Sequence, residues 1–249
     1  MQTIKFFIFL FPLILLGQNY NKDYPPEIDS DTVFNYKTID ETKLNMWVFN
    51  PTNGFNSNVK PAIVFFFGGG FREGSPKQFE EHSKYLSARG MVSIVVDYRV
   101  SSRNKTKPIQ CLNDAKSAIR WVRKHSKSLG INPKRIIASG GSAGGALAAL
   151  TGTVKMFDEK NEDLKISSKP NAMVLFNPGL MTYASQGLYR DEMMIDRARI
   201  RVGDDPKKAS PYYHLNNNVA PTIIFHGKND KTVPYESVVL FDKKMKEYG

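Results

Sequence analysis

The chain has 249 residues, 41% of them hydrophobic and 24% charged, and 35 Lys and Arg against 24 Asp and Glu give a net charge of +11. This composition is ordinary for a folded soluble protein, and the absence of a linker or internal repeat argues against a second large domain. Cys111 is the single cysteine, which excludes a disulfide within the chain.

The first 17 residues form a segment of their own. Lys5 precedes a short apolar run that extends from Phe6 to Leu16 and is followed by Gly17. A membrane span needs about 20 apolar residues, so this shorter run is more typical of an export signal. We therefore expect 1–17 to be a signal peptide and the mature protein to be secreted or periplasmic, without a stable membrane span. An uncleaved anchor helix is the alternative.

The rest of the chain, 32–249, predicts one α/β domain. Alternating apolar residues indicate two antiparallel strands that meet near Asp40. Five apolar runs then alternate with helical patterns, which indicates a mostly parallel sheet with helices on both faces. The predicted strands are at 62–67, 91–98, 135–140, 172–178 and 221–227, and the predicted helices are at 76–89, 109–129, 143–154 and from 235 onward. Cys111 falls in a helix, where a buried structural thiol is expected.

Ser142 lies where a predicted strand changes abruptly into an Ala-rich helix, in the sequence GGSAGG. Residues 140–144 match G-x-S-x-G, whose glycines permit a tight turn that exposes the serine hydroxyl. The following helix N-terminus favours negative charge, and the backbone N–H of Ala143 can donate to an oxyanion. A Gly/Ser turn without chemistry is the alternative. A P-loop is disfavoured because no lysine follows Gly145.

Three consecutive glycines, 68–70, follow the strand that ends at Phe67. Without side chains in the way, two backbone N–H groups can converge there on the oxyanion of acyl transfer. A merely flexible loop is the alternative. Chemistry in a parallel sheet gathers at the carboxyl ends of the strands, and the sequences FGGGF, GGSAGG and HGKND all occupy such ends.

Five segments resemble those of the α/β-hydrolase esterases and lipases, in particular the hormone-sensitive-lipase-like and carbohydrate-esterase branches. In chain order they read FFFGGGFREGSPKQF, DYRV, DAKSAIRWVR, GGSAGGALAA and HGKNDKTVP. The resemblance begins near Thr32 and implies the α/β-hydrolase fold. It also implies that Ser142 is the nucleophile, that Asp230 is the acid of the triad, and that Gly69, Gly70 and Ala143 donate to the oxyanion.

Two departures from the family pattern stand out. Phe67 replaces the histidine of the family's H-G-G-G loop, which puts the geometry of the loop in question. The family order is Ser, acid, His, yet no histidine follows Asp230. We therefore expect a C-terminal truncation that removes the final helix or strand and the base, leaving this chain inactive by itself.

Other residues offer weaker alternatives for the acid and the base. Asp204 and Asp205 are better explained as a polar turn before Pro206. His82 and His125 are expected at the surface, whereas His214 or His226 is the alternative base because triads are defined by geometry rather than by order.

The expected function is a serine carboxylic-ester hydrolase that forms an acyl-enzyme with short-chain or acetyl esters, including carbohydrate esters. A peptidase of the same fold and a non-catalytic binding protein are the alternatives. Scattered histidines and a lone cysteine offer no ligand spacing, so neither a metal nor a cofactor is expected. The basic stretch from Arg103 to Arg135 has no basic–aromatic motif, which favours a solvated face over a nucleic-acid site.

Overall fold

A computed structural model describes residues 24–51, 59–181, 202 and 205–248. The signal peptide expected at 1–17 lies outside these residues and stays a prediction. Within the described part of the chain, no helix is long and apolar enough to cross a membrane.

The described strands form one seven-stranded sheet whose order differs from the order along the chain. Listed along the chain, they are β1 (Thr32–Ile39), β2 (Thr42–Phe49), β3 (Lys60–Phe66), β4 (Val92–Val96), β5 (Ile131–Gly141), β6 (Ala172–Phe176) and β7 (Thr222–Phe225). The sheet order is β1-β2-β4-β3-β5-β6-β7. β2 pairs antiparallel with β1 and β4, whereas the pairs from β4 to β7 are parallel. The predicted α/β fold is confirmed.

Four of the five described helices follow the predicted positions, with differences at their ends, whereas one short helix was not predicted. They are α1 (Glu80–Ser87), α2 (Ser101–Asn104), α3 (Pro108–Lys124), α4 (Ala143–Thr153) and α5 (Tyr235–Lys246). A 3-10 turn at Pro76–Phe79 precedes α1, and its N-cap hydroxyl on Ser75 accepts from the N–H of Lys77 at 3.3 Å. α3 ends before the predicted residue 129 because the chain there turns towards Gly130, which has a φ of 62°.

The central strands are buried on both faces, which fixes the loops at their ends. Val64 and Phe66 of β3 belong to the cluster that contains α3 and α4, whereas Phe65 packs on the other side with Phe79. Cys111 is also buried, and its Sγ donates to the carbonyl of Arg99 at 3.1 Å. Burial raises the pKa of this thiol to about 12, in agreement with the expected structural role.

The expectation of a solvated basic face is wrong for part of α3. Lys116 and Arg120 are 1% and 6% exposed, and both pair with Asp158. Lys116 also donates to the carbonyl of Met156, and Arg120 to that of Ile166. The basic stretch therefore secures the loop between α4 and β6, because its cations satisfy loop carbonyls and carboxylates that would otherwise lose their hydrogen bonds.

Candidate active site

Ser142 occupies a strained turn between β5 and α4. Its φ of 52° and ψ of −116° lie where non-glycine residues rarely occur, which is typical of strain retained at functional sites. The turn is held from three sides. The N–H of Ser142 donates to the carbonyl of Phe176 at 3.0 Å, and its own carbonyl accepts from the N–H groups of Ala146 and Gly179, each at 3.0 Å. The elbow predicted for this serine is therefore present.

Glycines allow α4 to approach the sheet at this turn. A Cβ on Gly144 would overlap the carbonyl of Phe66, and one on Gly140 would lie 2.5 Å from that same oxygen. The backbone of α4 thus packs directly on the end of β3. Since α4 is eleven residues long, its N-terminal N–H groups present the positive end of a helix dipole beside Ser142.

The glycine loop after β3 reaches the same place. A Cβ on Gly68 would lie 3.4 Å from the Cβ of Ser142 and 3.1 Å from the carbonyl oxygen of Gly141. Within the described chain, the N–H groups of Gly69, Gly70 and Ala143 have no hydrogen-bond acceptor. The structure thus brings the loop and the elbow together, with three unengaged donors available.

A network that includes Phe67 shapes this loop in place of the family histidine. The Phe67 ring stacks on Tyr98 at a centroid distance of 4.0 Å, and the Tyr98 hydroxyl donates to the Phe67 carbonyl at 2.6 Å. Arg103 Nη1 donates to the carbonyl of Gly74 at 2.7 Å, and Gln78 Oε1 accepts from the N–H of Gly68 at 2.6 Å. The loop is therefore held by aromatic stacking and hydrogen bonds to neighbouring elements.

A buried carboxylate lies behind this loop. Asp97 accepts a hydrogen bond from the Tyr24 hydroxyl, and one Asp97 oxygen lies 3.5 Å from Arg103 Nη2. Burial raises the pKa of Asp97 to about 6, although Tyr24 and Arg103 oppose the shift. Asp97 thus anchors the arginine that reaches Gly74.

Asp230 lies in the loop after β7, at the same edge of the sheet. Its Oδ1 accepts from the N–H groups of Thr232 and Val233 at 2.8 and 2.9 Å. These two hydrogen bonds, led by that of Val233, hold the pKa of the carboxyl below its usual value. Asp230 is therefore preferentially ionised and fixed by its own loop.

The four histidines have other partners. His82 packs against the rings of Phe79 and Phe176, and His125 stacks on Trp121 at 4.0 Å. His214 Nε2 lies 3.0 Å from the carbonyl of Lys208.

His226 approaches Asp230 most closely in this group, with Nε2 3.6 Å from Oδ2. The same Nε2 donates to the carbonyl of Val233 at 2.9 Å. Since a carbonyl only accepts, the proton is on Nε2, and Nδ1 is buried without a partner among the described residues. This histidine fixes the loop that carries Asp230.

The structure also describes part of the turn predicted before Pro206. Asp205 caps the turn before Pro206, with Oδ1 accepting from Lys207 at 3.0 Å, while Asp204 lies outside the described residues. In the described ranges, no group of three or more His, Cys, Asp or Glu could hold a metal ion.

The sequence interpretation missed the residues that support the glycine loop. Tyr98, Arg103 and Gln78 act through single contacts across different elements, and no spacing rule predicts such contacts. The available signal was the place of Tyr98 in DYRV and of Gln78 in FFFGGGFREGSPKQF, two of the segments that carry the family resemblance, whereas Arg103 lies outside all five segments.

Comparison with known families gives an independent result. The BD-FAE family model matches residues 48–245. A probable carboxylic ester hydrolase, LipM of Mycobacterium tuberculosis, is 28% identical over 203 residues, which are 77% of this chain and 46% of that protein. Lipase 2 of Moraxella sp. is 40% identical over 95 residues, or 38% of this chain and 22% of that protein. The chain thus spans less than half the length of these relatives.

Solved structures match over a longer part of their length. The propionate-bound form of esterase 2 from Thermogutta terrifontis superposes with a TM-score of 0.83 at 47% sequence identity. The match covers 91% of this chain and 82% of that one.

Proposed function

The chain belongs to the BD-FAE family and has the α/β-hydrolase fold of esterases, and from this premise we propose that it hydrolyses carboxylic esters through an acylated serine. The observation that carries the proposal is the strained elbow at Ser142, which lies beside a glycine loop whose Gly69 and Gly70 N–H groups have no acceptor among the described residues.

In this proposal Ser142 Oγ attacks the ester carbonyl and forms a tetrahedral intermediate. Negative charge develops on the carbonyl oxygen, where the N–H groups of Gly69, Gly70 and Ala143 donate hydrogen bonds. Each such donor typically stabilises the transition state by about 3 kcal/mol. Collapse of the intermediate expels the alcohol and leaves an acyl-enzyme, which water then hydrolyses by the same steps.

The acid of the triad is Asp230, which orients the base. β5 and β7 are separated by β6, so their axes lie about 10 Å apart, a width that leaves room for one bridging imidazole. The four histidines of the chain are engaged elsewhere, and we propose that none of them is this base. Hydrolysis by these 249 residues would then require a proton acceptor from outside them.

Short acyl groups are the proposed substrates, including acetyl groups on carbohydrates. The neighbouring Thermogutta esterase was solved with propionate bound, which supports a pocket of short acyl length. The resemblance to carbohydrate esterases supports a sugar alcohol on the other side of the ester.

The first test is hydrolysis of p-nitrophenyl acetate by the full chain, measured with and without added imidazole. Imidazole also hydrolyses this ester without protein, so that background rate is subtracted. We then expect imidazole to raise the protein-dependent rate, and Ser142→Ala to abolish both the basal and the stimulated protein-dependent rate. Ser128→Ala is the matched control, because Ser128 is an exposed serine whose hydroxyl donates only to the carbonyl of His125. Equal rates for Ser142→Ala and the wild type would refute the assignment of the nucleophile.

A second variant tests the base. His226→Gln places a side-chain amide nitrogen near the position of Nε2, where it can donate to the carbonyl of Val233, so the loop should keep its shape. We expect it to keep the imidazole-dependent rate. If the wild type is active without imidazole and His226→Gln is not, His226 is the base instead.

A further inference from the structure

The side chain of Asp97 belongs to a buried cluster behind the glycine loop. Asp97 directly follows β4 and is 3% exposed. One of its oxygens accepts from the hydroxyl of Tyr24, which precedes β1, and lies 3.5 Å from Arg103 Nη2 on α2. The same Nη2 donates to the Tyr24 hydroxyl oxygen at 2.9 Å. Tyr24, Asp97 and Arg103 thus form a closed group from three parts of the chain, here called the anchor cluster.

The hydroxyl of Tyr24 is the proton donor to the carboxylate in this cluster. Burial, followed by the charge of Asp97, raises the pKa of Tyr24 above its usual value, so the hydroxyl keeps its proton. The single proton is donated to Asp97, and the hydroxyl oxygen accepts from Arg103. The ring of Tyr24 also lies 3.8 Å from Arg103 Cζ, so the two side chains would stay in contact without the hydroxyl.

Arg103 connects the anchor cluster to the glycine loop. Its Nη1 donates to the carbonyl of Gly74 at 2.7 Å. Gly74 ends a turn in which the N–H groups of Arg72 and Glu73 donate to the carbonyl of Gly69, at 3.1 and 3.2 Å. The turn is therefore closed by its own hydrogen bonds, and Arg103 holds the end that leads away from Gly69.

α2 carries Arg103 and is too short to be stable by itself. It has four residues, whereas isolated helices shorter than about 12 residues are marginal in water. The N–H groups of Ser101 and Ser102 donate to the carbonyls of Phe71 and Arg72, at 3.1 and 2.9 Å. α2 and the turn are therefore one unit, and the anchor cluster fixes its position.

The anchor cluster depends on the charge of Asp97. Within the described part of the chain, Arg103 forms an ion pair with Asp97 alone, and both side chains are largely buried. Protonation of Asp97 would leave the guanidinium without a counter-charge, which is costly away from water. Arg103 would then turn towards solvent and release the carbonyl of Gly74.

The groups around the carboxylate place its ionisation near neutral pH. Burial raises the pKa of Asp97 to about 6, and the charge of Asp114 on α3 adds to the rise. The hydrogen bond from Tyr24, the charge of Arg103 and the N–H of Tyr98 oppose it. From β1, the Tyr36 hydroxyl donates to the backbone carbonyl of the same residue at 2.7 Å.

We propose that ionised Asp97 is a positioning residue, which holds the glycine loop through Arg103 in the geometry that receives the oxyanion, and that the loop moves when Asp97 is protonated. The inference rests on the proposed function, because that function gives the loop its oxyanion.

The main test measures the position of the loop, so it does not depend on turnover. Backbone amide resonances of Gly69 and Gly70 are followed by NMR in the full chain from about pH 5 to about pH 8. We expect both to shift with a common midpoint near pH 6. In Asp97→Asn they should stay at the acidic wild-type position at every pH, because Asn cannot ionise. Glu73→Gln is the control, since Glu73 is an exposed carboxylate of the same turn, and it should keep the midpoint.

A second variant tests the anchor cluster without removing the carboxylate. Tyr24→Phe keeps the ring beside Arg103 and removes the hydrogen bond that favours ionised Asp97, so the midpoint should rise by about one pH unit. Tyr85→Phe is the matched control, because Tyr85 is an exposed tyrosine whose ring likewise lies beside an arginine, 3.4 Å from Arg89 Cζ. It should leave the midpoint unchanged.

Kinetics separates positioning from a purely structural role. At a fixed imidazole concentration and a pH above both midpoints, Asp97→Asn should lower the protein-dependent kcat for p-nitrophenyl acetate about tenfold and change KM little. The loss falls on kcat because the oxyanion develops only in the transition state. Tyr24→Phe should match the wild type under these conditions. An unchanged kcat in Asp97→Asn would overturn the inference.

Three NMR results would also overturn it. They are a wild-type protein whose glycine resonances show no midpoint near pH 6, a midpoint that persists in Asp97→Asn, and an unchanged midpoint in Tyr24→Phe. Failure of the proposed function has a different signature. In that case Ser142→Ala would match the wild type in hydrolysis, while the resonances of Gly69 and Gly70 would still follow the charge of Asp97.

Discussion

At the scale of single residues, Asp230, the proposed acid, shows how a carboxylate can be fixed by its own loop. Two backbone N–H groups bind one of its oxygens, and the other faces the ring of His226 at 3.6 Å. Its pKa lies below the usual value, so the stability it contributes is present above the ordinary carboxyl pKa. That contribution is lost as the pH falls through the lowered value.

Replacing Asp230 by Asn should therefore separate orientation from folding. The Asn oxygen can still accept from Thr232 and Val233, but the negative charge that favours a protonated imidazole is gone. We expect the imidazole-dependent rate of p-nitrophenyl acetate hydrolysis to fall, while the melting temperature at neutral pH falls only slightly. Steady-state kinetics and thermal unfolding measure the two effects. Asp205→Asn, in a similar capping turn, should change neither, and a fully active Asp230→Asn protein would refute the role.

Sequence patterns predicted some residues of the site and not others, for a physical reason. Ser142 was predictable because a strained turn needs glycines at fixed distances from the serine along the chain, and this spacing can be recognised in the sequence. Gln78 was not, because its importance comes from a contact with Gly68 across a turn, and a glutamine in an exposed turn has no distinctive pattern.

At the scale of elements, the close contact of α4 with β3 positions Ser142. Gly144 in the first turn of α4 lies against the carbonyl groups of Phe66 and Phe67. In an ordinary exposed helix, a Gly→Ala substitution stabilises the protein by about 1 kcal/mol. At Gly144, however, the added Cβ would overlap backbone atoms that cannot rotate away.

We therefore expect Gly144→Ala to destabilise the protein by about 2–3 kcal/mol, measured by urea unfolding, and to lower the reactivity of Ser142. Gly179→Ala is the matched control, because its Cβ would meet its nearest neighbour, the Cβ of Ala146, at an ordinary 3.8 Å. Equal stability of the two variants would show that α4 does not depend on this close approach.

A second element-scale prediction concerns the cations of α3. Arg120 is 6% exposed and binds Asp158, Glu162 and a loop carbonyl. Arg120→Met would leave the two carboxylates with fewer partners, and breaking a buried pair from one side typically costs about 3 kcal/mol or more. Urea unfolding should show this loss, while Arg89→Met at an exposed site should be nearly neutral. An unchanged free energy of unfolding in Arg120→Met would contradict a role for α3 in securing the loop.

The elements were predicted well where apolar runs are continuous. All seven strands and the longer helices were anticipated. The end of α3 and the short α2 were not, because turns near Lys124 and Ser101 depend on tertiary hydrogen bonds rather than on apolar periodicity.

At the scale of the whole molecule, the described sheet ends at β7, which pairs with β6 on one side. Ile223 and Phe225 on this strand are 51% and 50% exposed. Exposed apolar edge strands favour pairing with another chain, whereas the net charge of +11 opposes association through repulsion.

Salt should shift the balance between apolar pairing and charge repulsion towards association. Because salt screens repulsion and leaves apolar contacts intact, we expect this 249-residue chain to self-associate as ionic strength rises. Light scattering or sedimentation would measure it. Ile223→Lys should suppress the effect, whereas Val33→Lys at the opposite, β1 edge tests whether the site is specific to β7. Association that is equal in all three proteins would exclude β7 as the contact.

The order of the strands could not be read from the chain alone. Parallel strands of similar apolar composition, such as β3 and β4, have no local sequence feature that specifies which strand each one pairs with. The family resemblance implied the α/β-hydrolase fold, and the order of the strands within the sheet came from the structure.

The unusual backbone of Ser142 has a consequence for laboratory evolution. A non-glycine residue at φ 52° and ψ −116° typically costs about 1–3 kcal/mol, and glycine at this position would recover much of that energy. A selection for heat resistance alone should thus enrich Ser142→Gly, and under the proposed mechanism the selected variants would be more stable but inactive. Only a screen that rewards survival and product formation together would keep the serine.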